Sequence, residues 1–76
     1  MGKVKLVWVF SGTDAETKAK EKAKIITQKA KGISFVLYVG AEYISHISWL
    51  AYLVVSDEKQ GKLLFGTPTR VEAFEL

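Results

Sequence analysis

From Ile33 to Val55 the chain is apolar at nearly every position, at odd and even positions alike. A strand with one solvated face alternates apolar and polar residues, so a stretch apolar at both parities needs cover on both faces. In a chain of 76 residues the supply of cover is short. A domain of this size buries a modest fraction of its surface, and a second subunit is one way to complete its core. The only long helical pattern is rich in Lys and Ala and covers one face at most. The unbalanced face therefore points to a partner.

Ile33 to Val55 is long enough to span a membrane as a helix. Glu42 and His46 near its middle are costly in a bilayer. Gly40 and the β-branched and aromatic content favour strands instead. No membrane span is expected. Met1 to Phe10 alternates Lys with apolar residues and lacks the continuous apolar core of a leader, so no targeting signal is expected and localisation is left open.

The elements follow from periodicity and punctuation, within a single domain of residues 1–76. Lys3 to Phe10 reads as a first strand with Val4, Leu6, Trp8 and Phe10 on one face. Thr13 and Glu16 have capping-box spacing, which starts a helix at about Asp14. The helix runs to Lys31 and stops at Gly32. Ala15, Ala19, Ala23, Ile26 and Ala30 form its buried stripe, with Ile25 on the rim. Ile33 to Val39 is a second strand, and Gly40-Ala41 suits a two-residue hairpin. Tyr43 to Val55 is a third strand. Asp57 to Lys62 reads as a polar turn with Gly61 available for positive φ, and Lys62 to Leu76 as a fourth strand interrupted by Gly66 and Pro68.

The expected fold is therefore α+β, in the order β-α-β-β-β, with one helix packed on a curved, four-stranded, mainly antiparallel sheet. Strand order 1-2-3-4 is the simplest arrangement. A short β-α-β crossover would instead make strands one and two parallel. With the turn at Gly40-Ala41, Leu37 faces Ile44 and Phe35 faces His46. One face then holds Ile33, Phe35, Leu37, Val39, Ile44, Leu50, Tyr52 and Val54. The other holds Val36, Tyr38, Tyr43, Ile47, Trp49, Leu53 and Val55. Pairing across the second turn adds Phe65 and Val71 to the first face, and Leu64 and Phe74 to the second. A bulge near Ser45 or His46 would swap the later residues, because a one-residue slip inverts every side chain. The second set is the candidate interface, and a twofold homodimer the expected assembly.

Chemistry is sparse. There is no Cys, and His46 is the only histidine, so neither a thiolate nor a His/Cys metal cluster is available. Ser45 and His46 point to opposite faces of a strand, and Ser48 lacks a nucleophile elbow. No catalytic residue, metal or cofactor is expected. A cup lined by Trp, Tyr and His46 would be the form of any ligand site. The formal charge of +3 permits an anionic partner. Lys18, Lys20, Lys22, Lys24, Lys29 and Lys31 make one helix basic, so the alternative function is a small nucleic-acid-binding module using that face. Only Arg70 brings a guanidinium, the side chain suited to bidentate phosphate contacts.

Strand, long helix and three-strand meander are similar to the cystatin fold. The inhibitory Gln-x-Val-x-Gly loop of that family is replaced here by Val39-Gly40-Ala41-Glu42-Tyr43, and its Pro-Trp hairpin by Asp57-Glu58-Lys59-Gln60-Gly61, so protease inhibition is not implied. The chain also resembles a computationally designed α+β protein. It has no Cys and no Asn, and ten of its eleven basic residues are Lys. Strong helix formers fill Asp14 to Lys24, and cap, stop glycine and short turns agree with one fold. That resemblance implies a chain whose fold is itself the purpose; with the uncovered apolar face, the expected function is a designed or structural scaffold without catalysis that self-associates through that face.

Overall fold

The computed structural model describes residues 3–30, 36–42 and 47–74; within 36–42 and at 47 it describes the backbone, with a side chain only at Leu37. Six elements follow one another: β1 (Lys3–Ser11), α1 (Ala15–Lys29), β2 (Val36–Glu42), β3 (Ile47–Val55), α2 (Glu58–Phe65) and β4 (Arg70–Phe74). The class is α+β with an antiparallel sheet. The order is β-α-β-β-α-β, which replaces the expected β-α-β-β-β.

The difference is α2. Asp57 to Lys62 is a helix start rather than a polar turn. The Asp57 side chain accepts a hydrogen bond from the Gln60 N–H at 3.2 Å, which satisfies one orphan donor of the first turn. Gly61 sits inside the helix, and its own N–H donates to the Asp57 carbonyl at 3.0 Å. A Cβ there would lie 2.8 Å from Leu6 Cδ1 and 3.2 Å from Val55 Cγ2, so glycine is what lets α2 approach the sheet. Gly66 ends the helix at φ 92° and donates to the Lys62 carbonyl at 2.8 Å. The expected strand from Lys62 to Leu76 contracts to the five residues of β4.

At α1 the helix begins one residue later than expected, with Asp14 at the N-cap and no side-chain cap bond, so the Thr13–Glu16 capping box does not form. An ion pair of Lys18 with Asp14 at 3.4 Å spans the first turn instead. The expected stop at Gly32 lies outside the described residues.

The sheet has the order β2-β3-β1-β4, with every neighbouring pair antiparallel. The 1-2-3-4 order therefore does not occur. β1 and β2 run in the same direction without touching, because β3 lies between them. This is the split β-α-β arrangement. Gly40 and Ala41 are ladder residues, opposite Trp49 and Ser48, rather than a turn. Residues 43–46 between the two strands lie outside the described residues. Leu37 consequently pairs with Tyr52 instead of Ile44, a shift of eight positions. An even shift preserves parity, so Leu37, Leu50, Tyr52 and Val54 stay in one set and Leu53 and Val55 in the other; the residues after the expected second turn do not, since Phe65 and Val71 fall on the Leu53 side, Phe74 on the Leu37 side and Leu64 on α2.

Both helices pack on one face. Leu6, Trp8, Ile26, Leu53, Val55 and Phe65 form the core cluster, with Val4, Phe10 and Ala30 against it. Ala15, Ala19, Ala23 and Ile26 are the buried stripe of α1. Small side chains there bring the helix close, and Trp8, Leu53 and Phe65 supply the bulk. Trp8 Nε1 donates to the Thr67 carbonyl at 3.1 Å, which satisfies the indole and ties the segment after α2 to β1.

Candidate self-association surface

The register decides which residues look away from the helices. Leu6 pairs with Leu53, Val4 with Val55, and Trp8 with Ala51, so these share the helix side. Val36 and Tyr38 belong to the same side, opposite Leu53 and Ala51. Ile47 and Trp49 follow by alternation along β3. The expected interface is thereby corrected. Leu53 is fully buried and Val55 nearly so, both inside the core cluster. Trp49 is half-buried on the helix side opposite Phe10. Leu64 is exposed on α2 and belongs to no strand. Tyr43 lies outside the described residues, as does His46. The physical reason is the side on which the helices pack: Ile26 of α1 and Phe65 of α2 both sit with Leu53 and Val55, on the face that was expected to be left bare.

The face left open is the other set. One row across the strands reads Leu37, Tyr52, Val7 and Arg70, by the pairs Leu37–Tyr52, Tyr52–Val7 and Val7–Arg70. The adjacent rows read Val39, Leu50 and Val9, and Val54, Lys5 and Glu72. Lys3 and Phe74 close the end. No described element lies over this face. Leu37 is 44% exposed. Val7 and Val54 are nonetheless buried.

The face is lopsided. Toward β2 it is apolar, with Leu37, Val39, Leu50, Tyr52 and Val54. Toward β4 it is charged. Lys5 Nζ stands 3.3 Å from the Glu72 carboxylate, 4.9 Å from the Tyr52 ring centroid and 5.9 Å from that of Phe74. The Arg70 guanidinium also donates to Glu72. These two hydrogen bonds, Arg70's first and then Lys5's, hold the Glu72 carboxyl below its ordinary pKa. Lys5 thus forms the border between an apolar strip and a charged rim, a stem along apolar surface with its charge at the edge.

The lysine-rich helix has a different geometry from the one its sequence suggests. Lys18 pairs with Asp14, and Lys20 with Glu16 at 2.9 Å. Lys22 points inward. Its Nζ donates to the Phe65 carbonyl at 2.6 Å and lies 4.7 Å from the Trp8 ring centroid. Burial, and secondarily Lys29, lowers its pKa. No described helix is long and apolar enough to cross a membrane. Comparison with protein families, with curated proteins and with solved structures found no match.

Proposed function

We propose that this chain is a non-catalytic scaffold module that self-associates through the sheet face its helices leave uncovered, with a homodimer as the smallest assembly. The observation that carries this reading is the apolar half of that face, where Leu37 is 44% exposed beside Leu50 and Tyr52. Apolar surface gathered in one place marks an interaction site, and a twofold axis lets one such surface meet itself. The lysine-rich, Asn-free composition supports a designed origin for such a scaffold.

Sedimentation equilibrium from micromolar to millimolar concentration tests the reading. The wild-type chain should gain mass with concentration, and Leu50→Lys, which puts an ammonium in the middle of the apolar strip, should lose the part of that gain that face packing supplies. A wild-type chain that stays at 8.5 kDa throughout would sink the proposal. A gel shift with generic single-stranded nucleic acid at low salt, abolished by salt, would replace it with the binding-module alternative.

A further inference from the structure

The two edges of the sheet are not alike. β4 is an edge protected in the usual ways: it has five residues, carries Arg70 and Glu72, and follows Pro68 closely. β2 is seven residues long, Val36-Leu37-Tyr38-Val39-Gly40-Ala41-Glu42. It has no Lys, Arg or Pro, and its one charge stands at the end. β3 pairs with one side of it, and no described strand pairs with the other. A row of backbone N–H and C=O groups along such a strand is a template for another strand. The side-chain distribution adds a direction. The apolar half of the open face adjoins β2, and the charged half adjoins β4.

We infer that two copies of this chain join edge to edge at β2, antiparallel, about a twofold axis perpendicular to the sheet. This rests on the proposed self-association and adds a second contact to it. The axis puts both open faces on the same side. Leu37, Val39, Leu50 and Tyr52 of the two copies then merge into one apolar strip, with Lys5, Glu72 and Arg70 as charged rims at both outer ends. That is the layout of an interface with an apolar centre and a polar border. Joining at β4 would do the reverse, bringing the two charged halves together in the middle. Edge pairing and face packing use different twofold axes. Acting together they close a four-chain assembly with perpendicular twofold axes rather than an open fibre.

The two contacts separate experimentally. Residue-by-residue amide exchange is measured by NMR on the wild-type chain and on Leu50→Lys, each at low micromolar and at millimolar concentration, with sedimentation equilibrium on the same samples. Edge pairing predicts that the outward amides of Val36–Glu42 exchange about tenfold or more slowly at high concentration. Face packing leaves those amides unchanged, because it forms no backbone bonds. Leu50→Lys should remain dimeric with the same protection, and adding Val39→Lys should make it monomeric by setting like charges near the twofold axis. A wild-type chain that associates without β2 protection, and a monomeric Leu50→Lys, would overturn the edge and keep the face. A Leu50→Lys chain that reaches the same mass as the wild type, with β2 protection in both, would keep the edge and remove the face. The wild-type exchange pattern stands by itself if Leu50→Lys does not fold.

Discussion

Lys22 shows how much a single side chain can depart from its class. Among six helix lysines it looks like part of a solvated face. Yet Ala15, Ala19, Lys22 and Ile26 fall at the spacing of one buried stripe, and the structure turns Lys22 into the space between α1 and α2. There its ammonium satisfies a carbonyl at the C-terminal end of α2, where the helix dipole is negative, and lies over the Trp8 ring. Lys22→Ala should therefore cost about 1–2 kcal/mol in urea unfolding. Lys24→Ala, at an exposed position, should stay within about 0.5 kcal/mol of wild type. Equal effects of the two would contradict the assigned contact. The stripe position of Lys22 was legible in the sequence, but its partner was not, because Phe65 belongs to a helix that periodicity did not reveal.

At the scale of elements, α2 is what the sequence concealed. Its eight residues are too few for a clear apolar period, and Gly61 at their centre reads as a turn. The signal that was present is Asp57 three residues before Gln60, the spacing of an N-cap and its N3 position. Glycine here serves close packing rather than positive φ. Gly61→Ala would ordinarily add about 1 kcal/mol of helix propensity. Against Leu6, which is fully buried and has no room to move, overpacking costs about 1–3 kcal/mol. Thermal unfolding should show a net loss of about 1 kcal/mol, and a higher melting temperature would contradict the close approach. The interface was misplaced for a different reason. Parity sorted Leu53 and Val55 apart from Leu50 and Tyr52 correctly, since an even register shift preserves it. It could not say which set the helices cover. Lys3 and Lys5, opposite in parity to Val4 and Leu6 on β1, mark the open side once β1 is known to pair with β3.

For the whole molecule, the topology puts the two ends of the chain on neighbouring strands, Lys3 opposite Phe74. Strand order was not readable in the sequence, because pairing of β1 with β3 and β4 depends on both helices packing on one face. The adjacency carries a prediction. A circular permutant that begins at Thr13, ends at Gly12 and joins the old termini with a short flexible linker opens the chain at exposed residues. It should unfold in one cooperative transition like the parent. A broad, non-cooperative transition would show that the β1–α1 connection is needed for the sheet to assemble.

The position of β1 also sets an order of events during synthesis. The first strand made is a central one, and both its neighbours come late: β3 at Ile47–Val55 and β4 at Arg70–Phe74. At roughly 5–20 residues per second, β1 waits for seconds with an unmatched backbone on both sides. A ribosome that stalls before Arg70 holds a chain whose second side of β1 stays bare. Only when Arg70–Phe74 has been made does that strand gain its final neighbour, so a chain cut short before it is marked by an open strand in its middle.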